Sequence, residues 1–369
     1  MKRIGMPASV QTASCIWNSF RSSGKRHLIL TGSRGIGKTT LLHALAPEGL
    51  PGVTTWVQRG QGVFLKENAA GETVQIGRVA PEGMRPDLDA LNGFGAAALA
   101  RAGQAPGEWV SVDEVGYLET GSPAYCDALR ALLDQKRVLA VVRRQDLPLL
   151  QELCRRPDVF CLDLDQPLGQ LGCVVMASGL GRRFGGNKLL ADLEGKPLVQ
   201  YALDVTGGLF ARRVVVTRHA DVADLCRAQG VPVVLHSQPH RSDTVRLGLE
   251  ALNAGSGLDG CLFCPGDQPL LTRETVLSLA LCGACAPGPI WRAAWQEKPG
   301  APVLFPAWAF EDLMHLPQGK GGGAVIQRYP DRVRPVPARS PQELADVDRP
   351  EDLEVLRALG KGRPEPDPI

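Results

Sequence analysis

The sequence predicts an α/β chain of two three-layer αβα domains with mostly parallel sheets, and three observations predict it. Two glycine-rich loops, one near the start and one near the middle, each follow a short apolar run. The second half alternates apolar runs and helix-like stretches in the order βαβαβ. A length of 369 residues is enough for two domains that each bury a core.

In the first half, residues 1–24 are Ser-rich and weakly periodic and read as a loose lead-in. Arg26-His-Leu-Ile-Leu-Thr31 reads as a buried strand, followed by Gly32-Ser-Arg-Gly-Ile-Gly-Lys-Thr39 and a helix from Thr40. A glycine-rich loop between strand and helix is a phosphate cradle. Gly32, Gly35 and Gly37 bend the chain into a helix N-terminus whose free N–H groups, with that of Thr40, hold phosphates. Lys38 reaches the β/γ oxygens, and Thr39 offers a hydroxyl to Mg2+. Val53–Arg59 and Gly62–Leu65 read as paired strands, with a turn at Asn68–Gly71.

Trp109-Val-Ser-Val-Asp-Glu114 is an apolar run ending in two carboxylates. Asp113 is placed to hold Mg2+ through water and Glu114 to align or deprotonate an attacking water, although such a pair also ends ordinary strands. Val138–Val142 is a further buried strand followed by Arg143 and Arg144, and Val159–Leu162 should close the sheet. Arg155-Arg-Pro157 and Asp163–Pro167 mark the boundary, giving a first domain at 25–167 and a second at 171–360. These parts resemble a family of small P-loop nucleoside-triphosphatases. The resemblance implies ATP or GTP as ligand and Lys38, Thr39, Asp113 and Glu114 as the working positions.

The second half opens on Cys173–Met176, a buried strand, and a loop in which Gly179, Gly181, Gly185 and Gly186 let backbone N–H groups approach an anion. Arg183 and Lys188 project from the same loop and supply the charge that glycine lacks. Pro197–Val205 reads as a helix, Arg213–Thr217 as a strand, Asp221–Ala228 as a helix and Val231–Leu235 as a strand. Ligands in such sheets sit at the carboxyl ends of the strands, where the loop His236–Asp243 and a helix from Thr244 fall. Cys261-Leu-Phe-Cys-Pro-Gly-Asp267 ends a strand in a carboxylate, either a plain turn or a metal ligand of a phosphoryl-group transferase. Leu344-Ala-Asp-Val-Asp-Arg-Pro-Glu-Asp-Leu353 pairs two aspartates with a helix start.

The order Ala-Ser-Gly, Leu-Gly-Arg-Arg, Phe-Gly, Lys-Leu-Leu and Gly-Lys-Pro-Leu resembles the MobA-like nucleotidyltransferases, and among them the molybdenum cofactor cytidylyltransferases. The resemblance implies a Rossmann-like transferase domain in which Ala177, Ser178, Gly179, Gly181 and Thr244 bind the nucleotide. Thr244 also reads simply as an N-terminal cap. It implies that Arg183 and Lys188 hold the β/γ-phosphates and that Asp267 and Asp346, favoured over Asp348, place Mg2+. The expected substrates are CTP and molybdopterin, the products molybdopterin cytosine dinucleotide and diphosphate, and the recipient a molybdenum hydroxylase apoenzyme. Two departures fall on the family's acceptor side. Ala301 stands where His is usual, and Gly319–Ala324 lacks an expected acid and arginine. They leave open GTP or another phosphorylated acceptor, or a non-catalytic cofactor chaperone driven by the first domain.

Composition narrows the partners. Lys plus Arg total 41 against 39 Asp plus Glu, so no net field draws nucleic acid or an anionic membrane. No apolar run suits a membrane span or a signal core, and the expected location is cytoplasmic. Among ten cysteines, Cys261/Cys264 and Cys282/Cys285 form two C-x-x-C pairs. The spacing suits zinc, but the strand setting of the first pair turns its members to opposite faces and favours buried thiols.

Overall fold

The apolar runs become the central strands of two sheets. The computed structural model describes residues 10–46, 49–253 and 256–360, and the chain divides between Pro167 and Leu168 into two compact units.

The first unit holds β1 (His27–Thr31), β2 (Gly52–Gln58), β3 (Gly62–Glu67), β4 (Thr73–Ala80), β5 (Gly83–Pro86), β6 (Trp109–Val115), β7 (Arg137–Val142) and β8 (Val159–Asp163). Their order is β5-β4-β3-β2-β6-β7-β1-β8. The half from β2 to β8 is parallel, and β2 to β5 form an antiparallel extension. All five residues of β1 are buried, as expected of a parallel strand covered on both faces. The sequence shows β2 and β3, but the polar and glycine-containing β4 and β5 carry too little apolar signal to be read.

The lead-in is corrected by the structure: Val10–Ser23 is a helix, while residues 1–9 lie outside the described residues. Ala13, Ile16 and Phe20 are buried, and with Trp17 they recur at helical spacing that the interleaved serines obscure. Trp17 and Phe20 meet Trp109 edge-on at 5.3 and 5.7 Å, and Phe20 meets Phe160 at 6.0 Å. Such aromatic pairs add to the area they bury and fix this helix to the sheet.

The second unit holds β9 (Leu171–Ala177), the ribbon β10 (Asp192–Leu193) and β11 (Lys196–Pro197), then β12 (Arg212–Thr217), β13 (Val233–Leu235), β14 (Gly260–Pro265), β15 (Ile290–Trp295), β16 (Lys298–Pro306) and β17 (Val333–Pro337). The large sheet runs β13-β12-β9-β14-β16-β15-β17. It is parallel except for β16, which pairs antiparallel with both neighbours. Helices Leu198–Thr206, Ala220–Ala228, Arg241–Ala251 and Arg273–Cys285 cover it.

Pro232 shortens the expected third strand of this half, Val231–Leu235, to Val233–Leu235. The next helix begins at Arg241, three residues before Thr244, because the Asp243 carboxylate turns back to accept from His240 N–H at 3.0 Å. Thr244 is therefore not the cap but a buried residue within the helix. Cys261, Cys264, Cys282 and Cys285 are all buried, and among the described residues no group of three or more His, Cys, Asp or Glu is arranged to hold a metal. Among the same residues no helix is long and apolar enough to cross a membrane.

Candidate functional sites

In the first unit the chain leaves β1 into Gly32–Gly37 and enters helix Lys38–Leu45. Gly37 caps that helix at φ 98°, a conformation open to glycine and costly for other residues. Lys38 is buried, and its Nζ donates to the carbonyls of Gly32 and Ser33, both at 3.0 Å. The ammonium is thus held inside the curve of the loop. Thr39 Oγ1 donates to Asp113 Oδ1 at 3.1 Å. The cleft over this loop, about 550 Å³, is walled by Gly32, Gly35, Gly37, Lys38, Thr39 and Thr40 and also by Glu114, Arg143 and Arg144.

Asp113 is 2 % exposed, and its Oδ2 is buried without a hydrogen-bond partner among the described residues. Burial raises its carboxyl above the usual range, and the charge of Glu114 adds to this against the hydrogen bond from Thr39. A buried carboxylate oxygen with no partner beside a threonine hydroxyl fits a hard divalent cation such as Mg2+. Glu114 is engaged by Arg143, whose Nε lies 2.9 Å from Oε1. Any part Glu114 takes with a water is shared with that guanidinium.

The sequence reading passed over a further contact. The Asp165 carboxylate accepts from Ser33 N–H at 2.7 Å and from Ser33 Oγ at 2.8 Å, and pairs with Arg144 at 3.3 Å. Asp163-Leu-Asp165 reads as boundary sequence and gives no sign of reaching a loop so far back in the chain.

A raised carboxyl pKa has a stability consequence. The folded state binds the Asp113 proton more tightly than the unfolded chain, so stability falls as pH rises from the unfolded value, about 4, through the folded one. Asp113→Asn is expected to raise the Tm of the first unit by about 2 °C at pH 7. The gain should vanish as pH falls toward the unfolded value, with calorimetry of the full chain as the check. A variant less stable than the parent at pH 7 would refute it.

In the second unit the carboxyl ends of β9, β12 and β14 open onto a cleft of about 960 Å³. Ser178, Gly179, Thr244, Asp267 and Asp346 all lie on its wall. Gly181 takes φ 57°, and a Cβ there would meet Gly186 O at 2.2 Å, so the loop closes on itself only with glycine. Arg218 Nε and Nη2 donate to Ser178 O at 3.0 and 2.9 Å, and His219 Nε2 lies 2.8 Å from Gly179 O. These two side chains tether the Ser178 and Gly179 carbonyls, and nothing in the sequence singles them out. Ala177 requires a correction. It is fully buried at the end of β9, with its carbonyl accepting from Thr217 Oγ1, and offers no side chain to the cleft.

Lys188 is buried behind the wall. Its Nζ lies 2.7 Å from Asp267 Oδ2 and 3.1 Å from Asp348 Oδ1, and donates to Val347 O at 2.6 Å. Burial alone would lower its pKa, but Asp267 and Asp348 outweigh that and raise it. Arg183 is exposed and pairs with Asp348 at 3.2 Å. The two aspartates read together from the sequence are therefore in different settings. Asp348 binds the two cations, whereas Asp346 accepts from Gln268 Nε2 at 2.9 Å and faces the cleft with Asp267. Desolvation of the Asp346 carboxyl, then the negative charge of Asp267, raises it above the usual range. A carboxyl raised by burial and by a neighbouring carboxylate on the same cleft wall fits a divalent cation whose remaining ligands are water and phosphate oxygens.

Comparison with known proteins places both halves. Residues 173–333 match the MobA-like NTP transferase domain, and residues 53–167 match an NTPase family. The glycine-rich loop at Gly32–Thr39 precedes the second of these segments, and Asp346 follows the first. A 3-deoxy-manno-octulosonate cytidylyltransferase of Neisseria gonorrhoeae (strain NCCP11945) is 39% identical over 93 residues, which are 24% of this chain and 36% of that protein. The chain thus spans about a third of the length of such curated relatives. A crystal structure of a Mycobacterium tuberculosis Rv0371c homologue from Mycobacterium sp. strain JC1 is 26% identical with a TM-score of 0.45, over 52% of this chain and 96% of that one. The molybdopterin-guanine dinucleotide biosynthesis protein A of Archaeoglobus fulgidus is 17% identical with a TM-score of 0.42, over 52% of this chain and 100% of that one. The chain is a fusion of an NTPase-family domain with a MobA-like NTP transferase domain.

Proposed function

We propose that the second unit is a cytidylyltransferase that joins CTP to the terminal phosphate of molybdopterin, and that the first unit hydrolyses ATP or GTP to assist loading of the precursor or delivery of the product to a molybdenum hydroxylase apoenzyme. One observation carries the reading. A single cleft at the strand ends is lined by Ser178 and Gly179 of the glycine loop and by two carboxylates, Asp267 and Asp346, with Lys188 behind the wall 2.7 Å from Asp267.

The acceptor phosphate is already ionised at neutral pH, so it needs no general base. Its oxygen forms a bond to the α-phosphorus of CTP in line. The bond from that phosphorus to the bridging oxygen of the β-phosphate breaks, and diphosphate leaves with the electron pair. The protein's task is to position two anions and offset their charge. Ser178 and Gly179 present backbone N–H groups, Lys188 and Arg183 offset the β/γ charge, and Thr244 lines the nucleotide's side of the cleft. Asp267 and Asp346 would hold Mg2+, which supplies Lewis-acid neutralisation of the phosphates. In the first unit Gly32 to Thr40 would receive the nucleotide and Thr39 with Asp113 its Mg2+.

A second reading has its own support. The relatives are cytidylyltransferases named for a sugar acid, and the acceptor-side departures at Ala301 and Gly319–Ala324 remain. The two readings separate on product mass. Incubation of the full chain with each NTP, Mg2+ and either molybdopterin or 3-deoxy-manno-octulosonate is expected to give the cytidylyl adduct of molybdopterin from CTP alone. A guanylyl adduct, a sugar-acid adduct or no adduct refutes the reading.

A further inference from the structure

The cleft of the second unit carries a positive charge that the protein does not balance. Arg292 lies on β15, half-buried, with its side chain on the cleft wall. Its Nε donates to Gly300 O at 2.7 Å. Among the described residues no carboxylate pairs with it, and burial acting alone pulls its pKa below the usual guanidinium value. Arg241 and Lys320 line the same cleft, also without an ion pair among the described residues. Gly321 lets Arg241 lie across the loop, since a Cβ there would meet Arg241 Cδ at 2.7 Å. The acids on the wall are Asp267, already paired with Lys188, and Asp346, which accepts from Gln268 Nε2.

A half-buried guanidinium without a counter-charge is costly for the fold, and the cost is recovered when a ligand supplies the anion. Its flat fork of donors matches two oxygens of a phosphate or carboxylate. Three cations suit a phosphate monoester, which carries about −1.5 to −2 near neutrality, better than a singly charged carboxylate. Ala301, small where the family usually has His, also lines the cleft and leaves room beside Gly300. The chemistry of transfer adds a reason. An anionic acceptor must be drawn toward a polyanionic nucleotide, and cations on the acceptor's path lower that repulsion.

We propose that Arg292, with Arg241 and Lys320 lining the same cleft, seats the terminal phosphate of the acceptor, an assignment that rests on the transferase reading of this cleft. Arg292 then sets acceptor choice by charge: phosphate monoesters enter and neutral alcohols do not.

The test is titration calorimetry of the full chain with phenyl phosphate, and with benzoate as the carboxylate counterpart. Phenyl phosphate is expected to bind saturably and more tightly than benzoate. Arg292→Gln should weaken it about tenfold or more while leaving CTP affinity unchanged, and Arg292→Lys should recover part of the loss. Circular dichroism identical to the parent shows that the lost bond to Gly300 O has not undone the sheet. Equal affinity in parent and Arg292→Gln, absence of saturable binding in the parent, tighter binding of benzoate, or a parallel loss of CTP affinity each overturns the assignment. The titration needs no turnover, so failure of cytidylyl transfer is seen in the product-mass experiment and failure of the Arg292 assignment here.

Discussion

Asp267→Ala is expected to lower diphosphate release from CTP and molybdopterin by about a thousandfold, with the fold intact. Asp267 touches three parts of the site at once. Its carboxylate lies 2.7 Å from Lys188 Nζ, its charge raises Asp346, and its carbonyl accepts from Val347 N–H at 2.9 Å. Alanine keeps the backbone bond, so the two loops stay joined. What is lost is the carboxylate for the cation and one of the two acids that keep Lys188 charged. A second signature separates this from general damage. With Asp267 gone, the Asp346 carboxyl loses the neighbour that raises it and should titrate lower, which carboxyl-labelled NMR reads directly. Unchanged turnover would remove Asp267 from the chemistry and the transferase mechanism with it.

Lys38→Ala is the corresponding change in the first unit. Nucleoside triphosphate hydrolysis by the full chain should fall by at least about a hundredfold, while cytidylyl transfer in the same preparation proceeds at the parent rate. Lys38 Nζ sits on the Gly32 and Ser33 carbonyls, so its removal takes away the one buried cation of the loop without cutting into a core cluster. If delivery of the finished cofactor to an apoenzyme depends on hydrolysis, it should fall in parallel. Hydrolysis at the parent rate would show that the cleft over Gly32–Thr39 does no such work.

The phosphate loops were legible because they combine two local signals, an apolar strand and glycines at fixed offsets, that do not depend on the rest of the fold. Asp113 and Asp267 were legible for the same reason, as carboxylates at or just past the end of an apolar run. What escaped is long-range or masked. Helix Val10–Ser23 carries its apolar spacing among serines, and a short Ser-rich stretch at a chain end reads as loop. The helix start was placed three residues late, at Thr244, because an acid inside the first turn, Asp243, rather than the threonine, caps the helix. Arg143 and Arg144 read only as residues that follow a strand, whereas both line the cleft and pair with Glu114 and Asp165. The Ser33–Asp165 bonds and the solitary Arg292 exist only once strands distant in sequence are side by side.

If Lys188 and Arg183 receive the β/γ-phosphates as proposed, their pairing with Asp348 makes nucleotide entry an anion exchange. A carboxylate already satisfies both cations, and an incoming ligand must outbid it. A triphosphate tail has the charge density to do so, and a nucleoside does not. On that assignment the same carboxylate would act as a threshold that favours fully phosphorylated nucleotides over their spent forms, and helix Pro350–Gly360 begins two residues beyond it.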